Sequence, residues 1–298
     1  MSKAILVHGA TGKQGGAVVR ALLAHQSFSD TQYTIYGVTR DPSSSSSQRL
    51  ATLSPAIKPI SGDLRGSAFA NIPADANVSA VFVVTYPGKT EVADATAAID
   101  AAVEAKAQHI VVTSVDRGVG SPATDVPHFI TKYKIEEHLR NTIEASDGKL
   151  TYTILRPPFF MDNLEPGFIG KVMATLWRDR VNADTPLAMV DTTDIGAYAA
   201  AAILEPSSPT YRNAAFEMAG DQLTFKQANE IFKSKMGYDI PTTWSYLAGL
   251  LPLLMADIKK MFDFFNNPGF AAKPEESNKI HSMTDFASWL AKSKHVKK

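Results

Sequence analysis

Residues 8–16 read His-Gly-Ala-Thr-Gly-Lys-Gln-Gly-Gly, directly after the apolar run Ala4–His8 and directly before the helical pattern Gly16–His25. No other stretch limits the possible folds so sharply. Gly9, Gly12 and Gly15 form G-x-x-G-x-x-G. The first glycine permits a tight turn, the second lets backbone approach a pyrophosphate, and the third lets helix and strand pack closely. Backbone N–H groups and the helix dipole then hold the negative charge. Strand, glycine loop and helix in this order predict the opening unit of a dinucleotide-binding Rossmann-type domain.

The following 140 or so residues continue the pattern. Tyr33–Thr39, Ile57–Ile60, Ala80–Thr85, His109–Thr113 and Leu150–Leu155 are apolar runs of strand length. Most are continuous rather than alternating, as in strands covered on both faces of a parallel sheet. Between them lie the helical stretches Glu91–Lys106 and His128–Ser146, the latter striped by Ile135, Leu139 and Ile143. The predicted class is α/β, a doubly wound parallel sheet. At roughly 150 residues per domain, 298 residues suggest two domains or one large one.

After Arg156 the chain turns rich in proline, aromatics and methionine, and from Leu223 it is helical, with Phe225, Phe232, Trp244, Phe262, Phe264 and Phe265. The strand-like Leu187–Val190 and the alanine-rich Ile195–Leu204 read as a return to the sheet domain. The expected division is therefore 1–155 plus 187–219 for the Rossmann domain. Residues 156–186 plus 220–298 form a smaller, mainly helical substrate-side cap over the C-terminal edge of the sheet, where ligands bind in such folds.

Composition removes several function classes. Thirty basic side chains balance thirty acidic ones, so no global field steers nucleic acid or an acidic membrane surface. Cysteine is absent, which excludes disulfides, thiolate catalysis and cysteine-ligated metal. The seven histidines show no close metal-ligand spacing. The oily stretch Trp244–Ala256 is interrupted by Pro252 and is shorter than the roughly 20 residues of a membrane span. The N-terminus lacks the long apolar core of a secretory signal. A cytoplasmic protein is expected, with a small-molecule substrate and no nucleic-acid or membrane partner; Lys292, Lys294, Lys297 and Lys298 read as a solvated end.

The end of the second strand indicates which dinucleotide. NAD-specific proteins place a carboxylate there for the ribose hydroxyls, but this chain has Thr39 and then Arg40. A guanidinium suits the 2′-phosphate of NADP(H). Asp41 is one residue away, and a register shift would restore an acid to that place.

With these residues in view the chain resembles the NmrA-like branch of the atypical short-chain dehydrogenase/reductase superfamily. The matching pieces are Gly9–Gly16, Val38–Asp41, Gly62-Asp63-Leu64, His109–Ser114, His128–Arg140, Leu155–Asn163, Asp194-Ile195-Gly196, Leu223-Thr224-Phe225 and Phe286-Ala287-Ser288-Trp289. The resemblance implies a Rossmann domain with a small C-terminal substrate-side domain. It covers NADP-dependent reductases and also proteins thought to sense the dinucleotide without turning it over.

Carried over by resemblance, Thr11, Gly12, Gln14 and Gly15 contact the phosphates, with Gly9 shaping the loop, and Arg40 takes the 2′-phosphate. Asp63 and Leu64 flank the adenine, Thr85 approaches the ribose, and Lys132 matches the lysine that binds the nicotinamide ribose. Pro157, Phe159 and Asn163 stand beside the nicotinamide. Ser114 falls where the catalytic serine or threonine stands; a serine at a strand end is equally often a helix cap.

The departure from dehydrogenases is as informative. Their Tyr-x-x-x-Lys is missing, and the residue four before Lys132 is His128. On a helix that spacing puts both on one face. A histidine, with its reference pKa of about 6.5, can replace tyrosine as general acid, or it can simply close the pocket. Two readings follow. One is an NADPH-dependent reductase of a small, apolar carbonyl, imine or enone, in which Lys132, with His128 or a water, manages the proton. The other is a redox-sensing regulator that binds a protein partner.

Overall fold

The computed structural model describes residues 2–120, 125–245 and 256–296. Most of the oily stretch Trp244–Ala256, and the last two lysines of the tail, lie outside the described residues. No described helix is long and apolar enough to cross a membrane. The chain divides into two compact units.

The first unit comprises Met1–Ser114, Thr131–Arg156 and Ile195–Phe216. Its strands are β1 (Lys3–Val7), β2 (Tyr33–Thr39), β3 (Ile57–Ser61), β4 (Asn77–Val83), β5 (His109–Thr113) and β6 (Thr151–Arg156), with β9 (Ala214–Glu217) at the far edge. The sheet order is β3-β2-β1-β4-β5-β6-β9, and every pairing from β3 through to β6 is parallel. This is the doubly wound order, in which the sheet reverses direction between β1 and β4. Residues of β1, β4 and β5 are almost wholly buried, which is why those segments read as unbroken apolar runs. β3 is half-exposed and carries Pro59 within it, consistent with its place at an edge where one N–H is dispensable.

Helices α1 (Lys13–Ala24), α2 (Ser45–Ala51), α3 (Glu91–Glu104) and most of α4 (Pro127–Glu144) connect these strands, and α6 (Thr192–Leu204) follows later in the chain. The stripe read from the sequence on α4 is the buried one: Ile135, Leu139 and Ile143 join Leu6, Val81, Ile99, Val112 and Ile154 in one core. Burying each such side chain contributes roughly 1.5–3 kcal/mol.

The second unit comprises Val115–Ile130, Pro157–Asp194 and Glu217–Lys298. It contains a three-stranded sheet ordered β10-β8-β7, built from β7 (Phe159–Phe160), β8 (Leu187–Val190) and β10 (Asp221–Leu223). Helices α5 (Phe168–Arg180), α7 (Phe225–Met236), Ala256–Asn266, Pro274–Ile280 and Phe286–Lys292 surround an aromatic core that includes Phe129, Trp177, Phe232, Phe265 and Trp289. Here the structure differs from the sequence reading. β8 does not return to the large sheet; it pairs parallel with β7 and antiparallel with β10. A four-residue apolar run with no periodicity carries no information about which sheet it joins.

Candidate functional site

At the point where the sheet order reverses, a cleft of about 770 Å³ opens beyond the ends of β1, β2 and β4. Its walls include Gly9, Thr11, Gly12, Thr39, Arg40, Asp63 and Leu64. Seven of the residues expected to hold a dinucleotide are thus brought together by topology. Gly9 has φ +63°, the left-handed region that favours glycine, and its carbonyl accepts from the Gly12 N–H at 2.8 Å, closing the turn. A Cβ on Gly15 would stand 2.3 Å from the Gly9 oxygen, so only glycine lets α1 press against the loop there.

Gly12 is the N-cap of α1. No side chain caps that end, and its first turn contains no acidic residue. The start of α1, with Gly12 in the cleft wall, therefore places the positive end of the helix dipole at the cleft. Gln14 follows in the first turn of α1, and its Oε1 is buried with no partner among the described residues. The glycine turn and the uncapped helix start suit an anionic group such as a pyrophosphate; the Gln14 Oε1, being an acceptor, does not add to that.

The other end is built by β2 and the start of α2. Arg40, exposed and without an ion pair among the described residues, lines the cleft with Asp41, Ser44 and Ser46. Asp41 is occupied elsewhere: its carboxylate accepts from the Ser43 N–H at 2.8 Å and the Ser43 hydroxyl at 2.6 Å. Those bonds hold it below the usual carboxylate range. A guanidinium beside an acid whose Oδ1 already accepts two hydrogen bonds suits a phosphate, while the Ser44 hydroxyl itself donates to the Asp41 carbonyl at 2.8 Å. Asp63 also keeps a depressed pKa, chiefly through the Ser67 hydroxyl and then the Arg65 N–H, which together fix the loop after β3. His8 lies in the cleft floor, buried, and its pKa falls to about 4 because burial outweighs the nearby Asp63; it is neutral.

The remaining expected residues of this unit lie in the interior. Thr85 does not line the cleft, although its neighbours Val84 and Tyr86 do. Its hydroxyl donates to Glu91 Oε1 at 2.7 Å and accepts from Lys132 Nζ. Lys132 Nζ lies 3.1 Å from the same Glu91 oxygen, and the Thr131 hydroxyl donates to the other. Burial pushes the Glu91 carboxyl up, but the Lys132 charge and the hydrogen bonds from Thr131, Thr85 and Lys132 outweigh it and leave the pKa lowered. Burial lowers the Lys132 pKa, opposed by Glu91 and Glu136.

Ser114 is likewise engaged. Its hydroxyl donates to Glu136, a fully buried carboxylate that also accepts two bonds from the Arg156 guanidinium at 3.1 and 2.6 Å and pairs with Arg140 at 3.3 Å. Ser114 therefore anchors the end of β5 to α4. Glu91 and Glu136 were missed by sequence reasoning. The available signal was topological, since α3 and α4 follow the adjacent strands β4 and β5 and a buried Lys132 requires a nearby acid.

His128, Pro157, Phe159 and Asn163 belong to the second unit. His128 sits in the first turn of α4, its ring edge-on to Phe129 at 4.6 Å. The Pro157 carbonyl accepts from the Asp116 N–H, and Asn163 lies in the 3₁₀ turn Met161–Leu164. Phe159 is a core residue of this unit, against Trp177 at 6.1 Å and Phe265 at 6.2 Å. Among the described residues no cluster of metal-ligating side chains occurs.

Comparison with known proteins agrees with this architecture. The chain is 31% identical over 189 residues to the NmrA-like family domain-containing oxidoreductase lnaB of Aspergillus flavus, covering 59% of this chain and 51% of that protein. It is 28% identical over 188 residues to hkm9, of the same description, from Aspergillus hancockii. The chain spans about half the length of the curated relatives it matches. In fold it is similar to the Citrobacter sp. triphenylmethane reductase solved with NADP(H), at TM-score 0.70 and 18% identity over 98% of this chain and 99% of that one. It is also similar to Nmra, a negative transcriptional regulator solved with NAD, at TM-score 0.70 and 17% identity over 97% and 94%. The profile of the NmrA-like family matches residues 1–290. Matched by that profile over nearly its whole length, the chain belongs to the NmrA-like family.

Proposed function

We propose that this chain binds NADP(H) in the reversal-point cleft and reduces a small, apolar carbonyl, imine or enone. The observation that carries the cofactor is Arg40, which lines the cleft without an ion pair among the described residues, while the neighbouring Asp41 already accepts two bonds from Ser43 on Oδ1. The relatives' description as oxidoreductases and the fold shared with an NADP(H)-complexed reductase support the reaction class. Bound there, the nicotinamide supplies the reducing equivalent. The glycine loop and the uncapped start of α1 hold the pyrophosphate, and Asp63 and Leu64 flank the adenine. Lys132, steadied by Glu91 and Thr85, serves the nicotinamide ribose. No Tyr-x-x-x-Lys exists, so the substrate's proton comes from His128 or from water.

A second reading has its own support. The Tyr-x-x-x-Lys of the dehydrogenases is missing and the Ser114 hydroxyl is held by Glu136, which favours a redox-sensing regulator that binds a protein partner. One assay separates the two. NADPH oxidation is followed against a panel of apolar carbonyls, imines and enones. Turnover with at least one of them is expected, and His128→Phe should lower it about 10²–10⁴-fold while leaving NADPH affinity unchanged. Binding without oxidation across the panel favours the sensor; unchanged turnover in His128→Phe assigns the proton to water.

A further inference from the structure

Tyr86 follows β4 closely and lines the cleft alongside Gly12 and Val84. It is 72% exposed, so its ring contributes little to the core. Its hydroxyl has no hydrogen-bond partner among the described residues. Yet the phenol is specifically placed. A Cβ built on Gly12 would stand 3.2 Å from Tyr86 Oη, the same distance as from the Gly9 carbonyl oxygen. The phenolic oxygen thus lies over the second glycine of the loop, where the backbone is bare and α1 presents its uncapped, acid-free first turn.

A phenolic O–H above a row of N–H groups adds one donor to a set of donors. The ligand chemistry that uses all of them is a phosphate ester with several anionic oxygens, and charge-assisted bonds of this kind are the strong ones. We infer that Tyr86 is a dinucleotide-binding residue whose hydroxyl donates to the pyrophosphate held over the glycine loop. The inference rests on the cofactor reading above. It assigns to the exposed turn after β4 a role that neither the glycine pattern nor the arginine position implies. Gly12 also gains a second reason to lack a side chain, because a larger residue would displace the phenol as well as crowd the phosphate.

Tyr86→Phe removes the hydroxyl and keeps the ring, and on so exposed a residue it should leave the melting temperature unchanged. Calorimetric titrations of the unmutated chain and the variant with NADP, NAD and adenosine 2′-monophosphate provide the test. Both dinucleotides should bind about tenfold more weakly to the variant. Adenosine 2′-monophosphate reaches the Arg40 end but has no pyrophosphate, so its affinity should not change. Unchanged NADP affinity in the variant, or an equal loss for the monophosphate, would overturn the role of Tyr86 while leaving the cofactor reading intact. If the unmutated chain binds none of the three, the cofactor reading fails and this inference fails with it.

Discussion

At the scale of single residues, charge placement carries most of the functional information. Arg40 is exposed, and no acid in the cleft is paired with it, so its guanidinium is available to a second anion. Hydrogen bonds to a charged group contribute roughly 1.5–3 kcal/mol. NADP should therefore bind about ten to a hundred times more tightly than NAD. Arg40→Ser should erase most of that preference without changing NAD affinity; equal affinities for the two dinucleotides in the unmutated chain, measured by calorimetry, would remove the assignment. The position of Arg40 at the cleft wall was legible because it depends only on its place after a strand. Glu91 was not. A glutamate in the first turn of a helix looks like an ordinary partner of the helix dipole, and only the fold reveals it as the buried counter-ion of Lys132. Ser114 shows the converse. Its place in the sequence pattern was right, and its hydroxyl is nonetheless held by Glu136, a residue in the middle of a polar-looking helix.

At the scale of elements, the β1–loop–α1 unit assigns different duties to its glycines. Gly15 is a packing residue, since a Cβ there would collide with Gly9 backbone that has no room to move. Gly12 faces the cleft, and a Cβ there would have as neighbours, at 3.2 Å, the Gly9 carbonyl oxygen and the side-chain oxygen of Tyr86. The two should separate experimentally. Gly15→Ala should destabilise the fold by about 2 kcal/mol or more, in the range of backbone and overpacking defects. Gly12→Val should melt within a few degrees of the unmutated protein yet lose dinucleotide binding. Thermal unfolding with and without NADP checks both, and NADP binding by Gly12→Val would show that the loop is not the phosphate cradle. The strands of the first unit were readable because continuous burial writes continuous apolar runs. β7, β8 and β10 were harder, at two to four residues each and lacking a helical or alternating period.

At the scale of the whole molecule, two buried histidines couple stability to acid. His8 and His109 are 1% and 0% exposed, and burial lowers both pKa values from 6.5 to about 4. The His109 ring is held between the Thr151 and Thr153 hydroxyls at 2.7 and 3.0 Å. Between these pKa values the unfolded chain binds more protons than the folded one. The stability they confer is complete above pH 6.5 and is lost as pH falls toward 4. Each histidine should cost about 2 kcal/mol at about pH 5, visible as a falling urea midpoint, and His109→Gln should flatten that slope. A final consequence comes from the way the chain alternates between its two units. It leaves the first at Ser114 and Arg156, returns at Thr131 and Ile195, and leaves again after Phe216. Neither unit is built from a single uninterrupted stretch of chain. On the ribosome, Trp177 and Phe159 emerge long before Phe286 and Trp289, which complete their core. At roughly 5–20 residues per second that delay is on the order of ten seconds. Throughout it the nascent chain carries an unfinished aromatic surface, so the burden of avoiding aggregation during synthesis falls on the second unit and on the chaperones that meet it.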